Sequence, residues 1–342
     1  MVYGHCTTTE FMENNYFAKI FASWFTSFHM PLFFIIGGCL LAYKDEVFVF
    51  PNTLVKKSKG LLLPGLYFSV LSIAFYALLK VISKENVLQY IIDNVLNIFT
   101  LKFLDAMWFL PCNFFAEIIF LLLLKITKQR WWTIVVFLFS FIIALFLNIF
   151  SGNIFTRLSR LMMAICFVSI RHLAFQLLIS RWYGFKSNKE QQKDNEGRNN
   201  KGNKNRLIIG ASGIILLALG FVGSLFNGSV ECVGASYGKF PILFIFDAIA
   251  GSLGLILVFA AINRSIRPLV FFGKDSLIIL CTHLYIINFF WIINGHFLHI
   301  ELGSINAFVF AMGVIAIEIP IILVINRFFP FIISRKVDNK RI

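Results

Sequence analysis

The chain alternates between long apolar runs and short polar segments. Each run is close to the roughly 20 residues that an α-helix needs to cross about 30 Å of hydrocarbon. Backbone N–H and C=O groups must be paired internally in lipid, so runs of this length are predicted to be helices. The chain is therefore predicted to be all-α, a polytopic transmembrane helix bundle with about nine full spans. The predicted spans are Trp24–Tyr43, Leu61–Val81, Trp108–Ile126, Trp131–Phe150, Leu158–Leu178, Leu207–Phe226, Phe240–Ile262, Leu277–Ile293 and Ile305–Phe328.

Three segments outside these spans complete the predicted organisation. Met1–Cys6 has the pattern of the last turns of a further, truncated span, so sequence upstream of Met1 is expected to supply the rest of that helix. Apolar residues at helical spacing between Leu88 and Phe99 predict an amphipathic helix on the outer leaflet. The polar segment Arg181–Arg206 is predicted to be a disordered cytoplasmic loop inside a single transmembrane domain spanning residues 1–342.

Composition and charge support a membrane protein and predict its orientation. Hydrophobic residues make up 58% of the chain and charged residues 14%, against about 45–50% and about 25% in soluble domains. Of the 31 Lys and Arg residues, 23 lie in one set of loops and the C-terminal tail and 7 in the opposite set. The positive-inside rule places the first set, and the C-terminus, in the cytoplasm. The net charge of +14 is thus interpreted as topology and contact with anionic lipids of the bilayer, and no nucleic acid is predicted as a partner.

The cysteines point to neither a disulfide framework nor a metal site. All six are scattered, mostly within apolar runs, and none forms a CxxC pair. No metal and no bound cofactor are therefore predicted.

A few ionisable residues lie inside the apolar runs, where they are costly and usually face the bundle interior or a wet cavity. His5, near the outer end of its span, either takes a proton from a hydroxyl or is an interfacial histidine without a task. His29 precedes Pro31 at a predicted helix start, so it is either functional or a capping or interfacial histidine. Glu117, near mid-membrane, is either a functional carboxyl or part of a structural inter-helix pair.

Three lysines, Lys56, Lys57 and Lys59, precede a predicted cytoplasmic helix start. They are either ordinary positive-inside anchors or the groups that capture an anionic cytosolic donor, because ammonium groups bind phosphate as point charges.

Other charged residues and two glycines receive weaker interpretations. Arg157 and Arg160, near an outer helix end, are candidate partners of a carboxylate or a developing oxyanion by location alone. Structural interpretations apply to the rest: inter-helix pairing for Asp247 and Glu318, snorkelling for Arg171 and His172, and close helix packing for Gly251 and Gly254.

Five short motifs occur in a characteristic order over nearly the whole chain. They are Val2–His5, Ser27–Phe34, Leu61–Pro64, Trp108–Pro111 and Phe272–Leu277, the last followed by His283 and Leu284. In these motifs the chain resembles the acyltransferase-3 superfamily of membrane O-acyltransferases, and within it the fucose 4-O-acetylase-like branch. The resemblance implies a ten-helix bundle that takes an acyl group from cytosolic acyl-CoA and transfers it to a sugar hydroxyl on the outer side.

The resemblance also assigns roles to residues. It implies that His5 is the catalytic histidine at the end of the first helix. His29, which lies in a shared motif, and Glu117, which is chosen for its position near mid-membrane, are further catalytic candidates. Lys56, Lys57 and Lys59 fall in the donor-side basic stretch. Trp108 and His283, which lie in the shared motifs, join Arg157 and Arg160 as acceptor or oxyanion candidates.

The chain departs from the family pattern at three places. Only four residues precede His5, so most of the family's first helix and its upstream Arg are expected to lie before Met1. Gly60 stands where the family has Arg, and Gly37 where it often has Ser.

The resemblance thus implies a membrane O-acyltransferase that uses acyl-CoA, specifically acetyl-CoA, as co-substrate and a cell-surface or lipid-linked glycan as acceptor. The predicted location is a bacterial inner membrane. A transporter or flippase for a glycolipid is the alternative, which the missing internal repeat disfavours. A non-catalytic membrane scaffold is a third hypothesis, under which His5 would be replaceable.

Overall fold

The computed structural model describes residues 2–6, 16–43, 51–82, 84, 86–99, 103–127, 132–150, 152–174, 198–262, 265–294 and 304–334. Within these ranges the chain is helical apart from turns, loops and one isolated bridge between Glu231 and Ser236. The α-helices, in chain order, are α1 (Val2–Cys6), α2 (Tyr16–Tyr43), α3 (Asn52–Lys57), α4 (Leu63–Ile82), α5 (Val87–Phe99), α6 (Phe109–Thr127), α7 (Trp132–Asn148), α8 (Asn153–Ala174), α9 (Arg198–Asn227), α10 (Pro241–Ala261), α11 (Arg267–Lys274), α12 (Ser276–Ile293) and α13 (Ser304–Phe328).

Eight helical segments in the described part of the chain are long and apolar enough to cross a membrane. The predicted all-α polytopic membrane fold is thereby confirmed. The remaining predicted span corresponds to α7, a shorter apolar helix of 17 residues. Its buried residues are the small Thr133, Ser140 and Ala144, while Phe139 and Ile142 are exposed. Small residues facing inward and large apolar ones facing outward are typical of a helix that packs within lipid.

The chain divides into two compact units. The first comprises Met1–Ala18, Val49–Phe115 and Ile266–Ile342, and the second comprises Lys19–Phe48 and Ala116–Ser265. The predicted single domain over residues 1–342 stays a prediction.

In the first unit, α1 packs on α12 and α13, and α4 packs on α12. Val2 and Cys6 of α1 form a buried apolar cluster with Ile287, Ala311 and Val314. These contacts fix the position of the short helix that carries His5.

In the second unit, α9 and α10 pack closely through glycines. A Cβ atom on Gly213 in α9 would lie 2.8 Å from the carbonyl oxygen of Gly254 in α10. A Cβ atom on Gly251 in α10 would lie 2.5 Å from the ring of Phe28, so this glycine permits close packing on α2. The absence of side chains thus permits the close approach, and the predicted packing role of Gly251 and Gly254 is confirmed.

Two predictions on helix limits are wrong. Helix α2 begins at Tyr16, so Pro31 lies inside it rather than in its first turn. Membrane helices tolerate an internal proline because neighbouring groups satisfy the freed carbonyl.

Helix α9 begins at Arg198, so the last part of the predicted loop Arg181–Arg206 is helical. The rest of that loop, and the side chains of Arg171 and His172, lie outside the described residues.

Candidate functional site

The first unit brings together two histidines that are far apart in sequence. The ring centroids of His5 and His283 lie 5.3 Å apart, and the ring planes are inclined by 50°. His283 belongs to the second turn of α12, so His5 lies beside the interior of a membrane-spanning helix. His5 is exposed, whereas His283 is fully buried. Only His5 therefore presents a reactive ring at the surface of this pair.

The hydrogen bond of His283 determines which tautomer it adopts. Its Nδ1 lies 2.7 Å from the carbonyl oxygen of Ile279. A carbonyl oxygen can only accept, so Nδ1 carries the proton and, in the neutral ring, Nε2 is the bare acceptor. Among the residues that the structure describes, this buried Nε2 has no hydrogen-bond partner. Because the N–H at Nδ1 is already bonded to Ile279 and Nε2 carries no proton, the ring is arranged to accept a hydrogen bond. This favours an accepting role for His283 over the predicted oxyanion role, which requires a free N–H donor.

Thr282, the neighbour of His283 on the same helix, bonds to a buried carboxyl of α13. Both oxygens of Glu318 on α13 lie within 2.9 Å of the Thr282 hydroxyl, and that hydroxyl also lies 2.8 Å from the Ile278 carbonyl. The Thr282 hydroxyl is the donor and shares its one proton among these oxygens, so Thr282 and Glu318 form a buried hydrogen-bonded pair between two helices. The pair ties α12 to α13, in agreement with the structural interpretation of Glu318.

A polar network that the sequence did not predict surrounds Asp105. The hydroxyl of Ser72 lies 3.1 Å from one Asp105 oxygen and 2.8 Å from the hydroxyl of Tyr285. Tyr76 donates to the other Asp105 oxygen at 3.4 Å and accepts a hydrogen bond from Asn288. Asp105 has φ +52°, a left-handed conformation that costs energy in most residues. This network joins three parts of the first unit: α4, the turn before α6, and α12.

The amphipathic helix α5 approaches the same network. Burial first, and then the negative charge of Asp105, raise the pKa of Tyr90 to about 12, so this phenol is neutral at physiological pH. The ammonium group of Lys80 lies 5.4 Å above the Tyr90 ring, within range of a cation–π interaction. The predicted helix between Leu88 and Phe99 is confirmed; its position on the outer leaflet stays a prediction.

The three candidate donor-side lysines lie at an irregular helix junction. Lys56 and Lys57 end α3, and Lys59 lies in a π-helical turn, Ser58–Leu62, that leads into α4. The Ser334 hydroxyl donates to the Lys59 carbonyl oxygen, which ties this turn to the end of the described chain. Single π-helical turns are frequent at functional sites. The sequence contained Gly60 but no signal of this turn.

Trp108 ends a 3₁₀ turn, Asp105–Trp108, that leads directly into α6. It makes an edge-to-face contact with Phe109, with ring centroids 6.5 Å apart. The Trp108–Pro111 motif therefore begins where the turn that carries Asp105 ends.

His29 and Glu117, the other predicted catalytic residues, belong to the second unit. His29 stacks on Phe25 with ring centroids 5.3 Å apart and donates from Nδ1 to the Phe25 carbonyl oxygen at 3.2 Å. His29 lies well inside α2, so it is not a helix-capping residue; its interpretation as an interfacial histidine stays a prediction. Glu117 is buried within α6. Arg157 and Arg160 are half-buried in the first turns of α8.

The second unit also contains a buried carboxyl at the α9–α10 contact. Asp247 is fully buried, and a Cβ atom on Gly223 would collide with its side chain. In the part of the chain that the structure describes, neither Asp247 oxygen has a hydrogen-bond partner. The predicted inter-helix pairing of Asp247 is thus not seen there.

The loop between α9 and α10 contains a short pattern that is also found in serine hydrolases. Gly234–Gly238 matches the letters of the Gly-x-Ser-x-Gly motif of serine hydrolases. That motif requires a strand-to-helix turn, whereas Ser236 pairs through its backbone with Glu231 in the loop between α9 and α10. The match therefore does not identify Ser236 as a nucleophile.

Among the described residues, no three His, Cys, Asp or Glu side chains are arranged to hold a metal ion.

The apolar helices and the buried polar groups between them define an integral membrane protein. The family model of the acyltransferase domain named Acyl_transf_3 matches residues 1–327. The chain therefore belongs to the acyltransferase-3 family, whose members are membrane O-acyltransferases, and the resemblance seen in the sequence is confirmed at the level of the family. The fucose 4-O-acetylase-like branch stays a prediction. No curated protein and no solved structure matches the chain.

Proposed function

We propose that the protein transfers an acetyl group from cytosolic acetyl-CoA to a sugar hydroxyl of a cell-surface or lipid-linked glycan. The observation that carries this proposal is the exposed His5 beside the buried His283, in a chain that matches the acyltransferase family over 327 residues. A sugar hydroxyl is a poor nucleophile near neutral pH, so a base within reach is required. The thioester of acetyl-CoA is already activated and needs only an attacking oxygen.

In the proposed reaction, His5 is the general base. The sugar oxygen bonds to the acetyl carbon, the carbon–sulfur bond breaks, and the hydroxyl proton moves to His5 and then to the CoA thiolate. His29 and Glu117 remain candidates for contact with the substrates, and Arg157 and Arg160 for charge stabilisation. The proposed site lies in a bacterial inner membrane, with the C-terminus in the cytoplasm.

The proposal is tested with membranes from cells that produce the full-length protein, incubated with labelled acetyl-CoA. Wild-type membranes should label the surface glycan. His5→Ala should lose about 10²–10⁴-fold in rate at normal abundance, because a general base is removed. His5→Gln should be equally inactive, since an amide cannot accept the proton at neutral pH. Normal labelling by His5→Ala at normal abundance would contradict the mechanism and favour the transporter hypothesis.

The donor side is tested at the π-helical turn. If Lys56, Lys57 and Lys59 hold the CoA phosphates, replacing all three with Gln should raise the KM for acetyl-CoA steeply. The effect should shrink at high salt, because exposed charge attraction is screened. An unchanged KM with a reduced amount of protein would show that the lysines are only topological anchors.

A further inference from the structure

Within the described ranges, the buried acceptor atom of His283, Nε2, has no hydrogen-bond partner, and nothing else in those ranges explains its burial. Its ring is already fixed to α12 by the Nδ1 hydrogen bond to Ile279, and Nε2 contributes nothing to that bond. Burying a polar atom without a partner costs free energy. An apolar side chain would fill the same space between the helices without that cost. A buried, unpartnered atom beside a reactive ring indicates a role during the reaction.

We propose that Nε2 of His283 accepts a hydrogen bond from the ring of His5 when His5 takes the substrate proton. This inference rests on the proposed function and adds a positioning residue to it. While His5 is doubly protonated, one N–H holds the proton destined for the CoA thiolate and the other donates to His283. His283 stays neutral throughout and is unchanged at the end.

The distance between the rings fits this arrangement. Two imidazoles joined by an N–H···N bond of about 2.9 Å hold their centroids roughly 5 Å apart. The observed centroid separation is 5.3 Å with an inclination of 50°. The two rings are therefore close enough for an N–H···N bond once the exposed His5 ring presents a nitrogen to Nε2. Because His283 is buried, it reaches the substrate only through His5.

Two substitutions of His283 separate this role from a structural one. In His283→Asn the amide occupies the place of Nδ1, so the bond to Ile279 is kept and the acceptor is lost. In His283→Gln the amide oxygen reaches the place of Nε2, so the acceptor is kept and the bond to Ile279 is lost. A merely structural histidine would tolerate Asn better, and a positioning histidine would tolerate Gln better. Cys281→Ala, at a buried neighbour on the same helix, is the packing control.

The experiment measures acetyl transfer from labelled acetyl-CoA in membranes containing the full chain, with rates normalised to the amount of protein. We expect His283→Asn to lower kcat roughly 10–100-fold, as for other groups that orient a reacting residue, with an unchanged KM for acetyl-CoA. His283→Gln should recover most of the activity, and Cys281→Ala should match the wild type. A His283→Asn protein as active as wild type, or a His283→Gln protein no better than His283→Asn, would overturn the inference. Absence of transfer by wild-type membranes would instead overturn the proposed function itself.

Discussion

At the residue scale, the polar side chains of the first unit act through specific partners rather than through their charge alone. Asp105 is exposed, yet Ser72 and Tyr76 both bond to its carboxyl group, and its backbone adopts φ +52°. Hydrogen bonds of this kind contribute about 1 kcal/mol each, and more when one partner is charged. The conformation suits Asp and Asn better than other residues that carry a Cβ atom.

Substitution of Asp105 tests this account of the network. Asp105→Ala should destabilise the protein by about 2–4 kcal/mol, because two hydrogen bonds are lost and alanine is strained at a positive φ. Asp105→Asn keeps an acceptor oxygen and tolerates the backbone, so its loss should be under about 1 kcal/mol. Thermal unfolding of the detergent-purified proteins measures both. An alanine variant as stable as wild type would show that the network contributes nothing to stability.

The sequence identified individual site residues but not which residues lie beside them in the structure. His5 and His283 were both named from the motifs, yet nothing in the sequence predicts that rings 278 positions apart lie 5.3 Å from each other. That contact depends on how α1 packs on α12. Asp105 was missed because it precedes the apolar run of α6 and has the pattern of an ordinary loop residue.

At the element scale, the sequence predicted the helices well because length and hydropathy alone determine which segments can cross lipid. The limits predicted for α12 and α13 agree with the structure to within one residue. The predicted start of α2 at Trp24 was wrong, because the helix begins at Tyr16 and continues through Lys19 and Ser23 into the apolar run. Helix ends depend on local polar contacts that hydropathy does not report.

The contact between α9 and α10 gives a prediction at this scale. A Cβ atom on Gly213 would lie 2.8 Å from the Gly254 oxygen and from the Val258 nitrogen. Both are backbone atoms, so the helices themselves would have to separate. Gly213→Ala should therefore destabilise the protein by about 1–3 kcal/mol, measured as a lower unfolding temperature in detergent.

Gly313 in α13 is the matched control, because a Cβ atom there would meet nothing within 4 Å. Gly313→Ala should be neutral or stabilising by up to about 1 kcal/mol, since alanine is the better helix former. Equal destabilisation by both substitutions would mean that glycine acts through helix flexibility and not through close packing.

At the scale of the whole molecule, the distribution of basic residues predicts which side of the membrane each loop faces, and helix packing does not report this. Helix α9 is flanked by Gly197 on one side and by the loop containing Val233 on the other, and its apolar part, Arg206–Asn227, is long enough to span the bilayer. Of the two flanks, the one before α9 belongs to the Lys- and Arg-rich set of loops. The positive-inside rule therefore places Gly197 in the cytoplasm and Val233 outside.

Labelling with a membrane-impermeant thiol reagent tests this orientation in whole cells that carry Cys232→Ser to remove the nearby native thiol. Val233→Cys should react in intact cells, because Val233 is 48% exposed in the loop between α9 and α10. Gly197→Cys should react only after the membrane is permeabilised. The reverse result would invert the whole topology and move the proposed donor lysines to the outer face, where cytosolic acetyl-CoA could not reach them. Labelling of both positions from outside would show that α9 does not cross the membrane, which would contradict the span assignment while leaving the family assignment intact.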